Sequence, residues 1–172
     1  MVSVLVANGS DDVEEQNGQV NLNSGDLEMA ENKNAPQLVG IRFSGLHIPA
    51  GATILEAHIE FVADSNQSDS AALVIVAEAA GNSATFSGSN NLSQRSFTNA
   101  RVDWGGIAAW SAGQLYQTPN LAPVVQELVN RSDWNSGNAA TFMISGRGKR
   151  AAKSYNNSSS QAPRLVVEFV IE

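Results

Sequence analysis

The stretch Leu55-Glu56-Ala57-His58-Ile59-Glu60-Phe61 alternates apolar and polar residues from end to end. Successive side chains of an extended strand point to opposite faces, so a period of two describes a strand with one buried and one solvated face. Leu55, Ala57, Ile59 and Phe61 then face a core, and Glu56, His58 and Glu60 face outward. Just upstream, Pro49-Ala50-Gly51 supplies a turn, with a glycine that adopts positive φ at no steric cost. Before that turn Val39, Ile41 and Phe43 alternate in the same way, with Arg42 outward and expected to pair with Glu56 or Glu60 across the sheet. Leu165, Val167, Phe169 and Ile171 repeat the pattern near the other end. Shorter runs lie around Leu22, Leu27 to Met29, Leu73 to Ala77, Arg101 to Trp104 and Thr141 to Ile144, separated by polar turns such as Ser136-Gly137-Asn138. Many short, half-buried strands at this spacing predict an all-β, jelly-roll-like antiparallel β-sandwich.

One segment departs from the period of two. Leu121, Val124, Val125, Leu128 and Val129 follow helical spacing after Asn120, an N-cap residue type, with Pro123 in the first turn. A single short α-helix near residues 121–130, covering one open end or edge of the sandwich, accounts for it. The loop from Gly81 to Ala100 is long and polar, and Asn156 to Gln161 reads as a mobile loop between strands. No internal repeat or linker interrupts the chain. Its 172 residues suit one core, so residues 1–172 are expected to form a single domain, excised from a larger secreted protein whose export signal lies elsewhere.

Composition narrows the function classes. A net charge of -7 argues against a nucleic-acid module, which needs clustered cations to release phosphate counterions. The chain has no cysteine, which excludes disulfides, thiolate metal centres and cysteine nucleophiles. Val2 to Ala7 is too short for a signal-peptide core, and no apolar run reaches membrane-spanning length, so membrane insertion is not expected.

Three motifs carry a family resemblance: Val39-Gly40-Ile41-Arg42-Phe43, Ile48-Pro49-Ala50-Gly51-Ala52-Thr53-Ile54 leading into Ala57, and Ala162-Pro163-Arg164-Leu165-Val166-Val167-Glu168-Phe169. In their order and spacing the chain resembles the DNRLRE-type domain, a family that includes carbohydrate-binding module family 96 of secreted bacterial proteins. It is also similar to marine-bacterial relatives with an acidic opening like Ser10 to Glu15 and with counterparts of Trp110 to Gly113, the helix, and Trp134 to Asn138. The resemblance implies a jelly roll with an accessory role beside catalytic or adhesive domains, and in some members binding of a polysaccharide such as alginate. The N-terminal stretch and the Gly81 to Ala100 loop depart from the family pattern.

Candidate sites follow from residue chemistry. Asp11, Asp12, Glu14 and Glu15, with Asp26 and Glu28 following, are oxygen donors of the kind a structural Ca2+ ion takes, though the spacing is no EF-hand. A solvated acidic edge is the competing reading. Asp64 and Asp69 form a second, weaker calcium candidate. Glu56, His58 and Glu60 could present a mixed site to zinc, but a solvated charged face is the preferred reading. For sugar binding, exposed aromatic rings matter most, and Trp110 and Tyr155 lie in loop-like sequence, whereas Trp104 and Trp134 read as core or cap. Arg147, Lys149, Arg150 and Lys153 would then meet an acidic sugar's carboxylate or sulfate.

Three functions compete. The first is a non-catalytic carbohydrate-binding or adhesive module at the cell surface or outside the cell, its partners a polysaccharide and neighbouring domains. The second is a structural spacer or assembly unit, which burial of Trp110 and Tyr155 would favour. The third is a polysaccharide lyase or hydrolase, for which a pairing of Tyr155 with Arg150 would speak.

Overall fold

A computed structural model describes residues 1–89 and 91–171. In chain order its strands are β1 (Val2–Leu5), β2 (Asp12–Gln16), β3 (Gln19–Asn21), β4 (Asp26–Met29), β5 (Glu31–Asn32), β6 (Ala35–Pro36), β7 (Leu38–Leu46), β8 (Thr53–Val62), β9 (Ala72–Ala77), β10 (Val102–Trp104), β11 (Leu115–Gln117), β12 (Asn138–Arg147), β13 (Arg150–Lys153) and β14 (Arg164–Val170), with helix α1 (Ala122–Val129) between β11 and β12. A four-stranded sheet in the order β1-β14-β8-β11 faces a six-stranded sheet in the order β10-β9-β12-β7-β2-β3, and every strand pair is antiparallel. This is the expected all-β sandwich with one short helix.

The period of two does what the sequence promised along most of its length. Ile59 and Phe61 of β8 and Leu165 and Val167 of β14 share one buried cluster with Ile41 and Phe43 of β7, Ile75 of β9, and Phe142 and Ile144 of β12. Phe43 and Phe142 meet edge to face at 6.0 Å. Each such side chain contributes about 1.5–3 kcal/mol by leaving water. At the start of β8 the alternation slips, because Glu168 faces Glu56 while the next residue, Phe169, faces Ile54. Leu55 is the extra residue of this β-bulge, so Ile54 enters the core and Leu55 is left 54% exposed. In β1, Val2 lies opposite Val167 and Leu5 opposite Arg164.

Arg42 does not reach Glu56 or Glu60, since β7 and β8 belong to different sheets. Its Nη1 donates to Asp11 Oδ1 at 2.9 Å and its Nε to the Ser83 carbonyl at 2.9 Å. Ser83 belongs to the loop from Gly81 to Ala100, whose apolar residues lie against the outer face of the six-stranded sheet. Phe86 and Leu92 pack there with Val13 and Met143. Gly40 permits this approach: a Cβ at that position would fall 2.5 Å from a Leu92 methyl and 2.9 Å from the Phe86 ring.

Helix α1 touches β8 in one sheet and β9 in the other, burying Val124, Val125, Leu128 and Val129 at one end of the sandwich. The N-cap position falls on Leu121, which makes no side-chain cap, and Asn120 one residue before it accepts from Ala122 N at 2.8 Å and from Ala57 N of β8 at 3.0 Å, tying the helix entry to the sheet. Two small ribbons, β4 with β13 and β5 with β6, complete the fold, and Leu27 and Met29 of β4 are buried in the main core.

Candidate functional site

The aromatic residues singled out for sugar stacking do not form an open platform. Trp110 is 2% exposed. Its backbone exchanges two hydrogen bonds with Gln67, at 2.8 and 2.9 Å, which pins the loop onto the sandwich. The ring stacks on Tyr116 at 4.8 Å and 8°, and lies 6.2 Å from both Phe61 and Trp104. Trp104 and Trp134 are buried as expected. Tyr155 is half-buried against the core, and its backbone N–H donates to Asp12 Oδ2 at 2.6 Å.

The basic run divides. Arg150 is 1% exposed, and its guanidinium donates to four backbone carbonyls: Ala108 at 3.2 Å, Asp69 at 2.8 Å, Lys149 at 2.7 Å and Ile107 at 2.9 Å. It ties two loops to β13 and is buried away from a ligand, and no pairing with Tyr155 is present among the described residues. Lysine keeps the charge but lacks the planar fork that spans several carbonyls. Arg150→Lys is therefore expected to cost about 2 kcal/mol in urea unfolding through the carbonyls left unmatched. Lys153 lies 3.8 Å from Asp64 and 3.4 Å from the Asn157 side-chain oxygen. Lys149 is ion-paired with Glu28. Arg147 is exposed and has no polar partner among the described residues.

Arg147 and Lys149 line a cleft of about 830 Å³, joined by Lys33, Asn34, Glu31 and Asp69. Lys33 and Asn34 form the β5–β6 turn with φ of 50° and 61°, the paired positive angles of a type I′ hairpin. Gly146 and Gly148 flank Arg147 at φ of 137° and 74°, and a Cβ on either would strike the Ala72 or Ser70 carbonyl at 2.3 or 2.2 Å. Only glycine lets the chain pass there, so the position of Arg147 is set by its neighbours. Lys33, missed in the sequence, is also exposed and without a polar partner among the described residues. No aromatic side chain lines the cleft among the described residues.

The acidic stretch is split by the same period of two. Asp12 pairs with Ile41 and Glu14 with Val39, so both face inward, while Asp11 and Glu15 face out with Val13. Asp11 is held by Arg42 and by Asn8 Nδ2 at 2.9 Å, and Glu15 accepts from Ser93 N at 3.0 Å and the Ser93 hydroxyl at 2.5 Å. Neither joins Glu14. The fold instead gathers Glu14, Asp26 and Glu28, with one carboxylate oxygen of each within 4.8 Å of the others. This group can hold a metal ion. Glu14 Oε1 accepts from Glu28 N at 2.7 Å and Gln37 Nε2 at 2.8 Å. Burial, opposed by hydrogen bonding from Glu28 N and Ser24, pushes the Glu14 carboxyl up, and burial with the Glu28 and Asp64 charges does the same to Asp26. Asp12 is fully buried, and burial pushes its carboxyl to about 7.

Asp64 and Asp69 do not come together. Asp64 meets Lys153 and accepts from Asn157 Nδ2 at 3.1 Å, and Asp69 lies in the cleft wall, so they form no common site. His58 sits on the outer face of β8 as expected, 3.8 Å from Glu56 and 3.9 Å from Glu60 through opposite ring nitrogens. One ion cannot take both nitrogens, which leaves a charged face. No protein-family model matches this chain, and no curated protein matches it.

Proposed function

We propose that this chain is a non-catalytic module that binds an acidic polysaccharide in the cleft walled by Lys33, Arg147 and Lys149, as an accessory unit of a larger secreted protein. The observation that carries this reading is the meeting of Lys33 and Arg147 on one cleft, both without a polar partner among the described residues, from segments more than a hundred residues apart in the chain. The type I′ turn and the two obligatory glycines fix the backbone from which these cations extend, which lowers part of the ordering cost of binding. Recognition would rest on charge-assisted hydrogen bonds to carboxylate or sulfate, with Asn34 and backbone groups for sugar hydroxyls. It needs no stacked ring. The resemblance to the DNRLRE-type domain supports the same class of ligand.

Binding to alginate, polygalacturonate and a sulfated galactan, compared with neutral starch, tests the reading. Saturable binding to an acidic polymer, weakened at least about tenfold in Lys33→Gln/Arg147→Gln and by added salt, is expected. Binding confined to neutral polymer, or insensitive to the double substitution, would refute it. The spacer reading is favoured by a separate observation: Trp110 and Arg150 are both built into the core. It takes over if no polymer binds.

A further inference from the structure

We propose that Asn8 is a site of spontaneous covalent modification, converted through a succinimide with Gly9 into aspartate and isoaspartate, and that its own turn promotes the conversion. Residues Asn8 to Asp11 form a turn between β1 and β2, closed by Asp11 N donating to the Asn8 carbonyl at 3.0 Å. In the first step Gly9 N attacks Asn8 Cγ. The N–Cγ bond forms, the Cγ–Nδ2 bond breaks, and ammonia leaves with the proton that Gly9 N gives up. Water then opens the ring at either carbonyl, which leaves Gly9 joined to the main-chain carbonyl in aspartate or to the side-chain carbonyl in isoaspartate. The only co-reactant is water, and Asn8 is exposed to it.

An Asn-Gly pair alone would mark little, and the chain has a second at Asn17-Gly18. What singles out Asn8 is the setting of its amide. Attack at Cγ puts negative charge on Oδ1, and that oxygen already accepts from Ser10 N at 3.0 Å and from the Ser10 hydroxyl at 2.5 Å. Donors placed where an oxyanion develops stabilise the transition state. The amide cannot turn its nitrogen toward them, because Nδ2 donates to Asp11 Oδ2 at 2.9 Å and a carboxylate only accepts. Asp11 is held in turn by Arg42 Nη1 at 2.9 Å. The attacking atom is free as well: Gly9 N makes no hydrogen bond among the described residues. Gly9 brings no side chain to hinder it, and a Cβ there would fall 2.3 Å from Asn156 Oδ1. Asn17, by contrast, sits in the two-residue turn between β2 and β3 at φ of 52°, with no donor on its side-chain oxygen among the described residues.

The product undoes what the amide holds. A carboxylate at position 8 has no donor to offer Asp11 Oδ2 and sets a like charge beside it, leaving Asp11 to Arg42 on its other oxygen. Isoaspartate also adds a methylene to the main chain within a turn that is closed by a single backbone hydrogen bond. That turn carries the chain from β1 in the four-stranded sheet to β2 in the six-stranded one. Conversion therefore loosens a connection between the two sheets, and aged molecules differ from fresh ones at this corner.

Incubation of the purified chain at neutral pH, followed by peptide mapping with mass spectrometry, tests the site. The peptide holding Asn8 should gain about 1 Da and split into two isomeric peaks. Its conversion should run at least about fivefold faster than that of Asn17. Ser10→Ala, which removes the hydroxyl donor and keeps the backbone one, should slow Asn8 about threefold or more and leave Asn17 unchanged, with circular dichroism confirming the fold. In urea, where both turns are lost, the two rates should converge. Asn8→Asp, which stands for one product, should lower Tm by about 2–4 °C. An Asn8 that stays intact while Asn17 converts, or that keeps its lead over Asn17 in urea, would overturn the proposal. A rate unchanged by Ser10→Ala would overturn the part given to the hydroxyl, and an unchanged Tm in Asn8→Asp would overturn the loosening.

Discussion

Trp110→Ala lowers the free energy of unfolding by about 3–5 kcal/mol, the range for removing a buried aromatic from a packed core. The indole stacks on Tyr116 and leans on Phe61 and Trp104, so its loss leaves three rings facing a void. For a domain of this size the midpoint of thermal unfolding should fall by roughly 10 °C. Trp110→Phe, which keeps a ring against Tyr116, should recover about half of the loss. Urea unfolding of the two variants measures both. Unchanged stability in Trp110→Ala, with lost polymer binding, would mean that the ring faces ligand and not core.

Asp12 governs the second large effect. Its carboxyl is raised to about 7 by burial, opposed by the Tyr155 N–H and reinforced by the Asp11 and Glu14 charges. Between about pH 4 and 7 the folded protein keeps a proton there that the unfolded chain has released. Stability therefore falls as pH rises through that window and levels off above it. A shift of this size corresponds to roughly 4 kcal/mol. In chelator, to keep metal from the neighbouring carboxylates, Asp12→Asn should flatten the profile and exceed the native chain in stability at pH 8. Parallel profiles for the two proteins would show that Asp12 is ionised in the fold.

The strands β7, β8 and β14 were legible because a period of two can be read directly from them, but their pairing was not, since Arg42 was expected across from Glu56 or Glu60 and β7 and β8 lie in different sheets. The bulge at Leu55 was not, since it depends on how β14 registers against β8. Parity along Asp11 to Glu15 held more than was drawn from it: odd and even positions of a strand cannot serve one site, which already separates Asp11 and Glu15 from Asp12 and Glu14. Phe86 and Leu92 are isolated apolar residues in a polar loop and carry no period. The available signal was their docking place, a glycine at the centre of a strong strand. Arg150 gave no signal at all, because its four partners are backbone carbonyls of loops whose course only the fold defines. Lys33 was hidden for the same reason, its place depending on a two-residue turn.

The pairing of β1 with β14 also has a mechanical side. Val2 lies opposite Val167, so the first strand and the last reach the same end of the four-stranded sheet side by side. Tension applied between those two points would part the ladder one hydrogen bond at a time, beginning at the loaded end, because no geometry makes the bonds share the load. Within a longer chain under pull, this seam would be the first to yield, while the six-stranded sheet and its cleft lie outside the line of force.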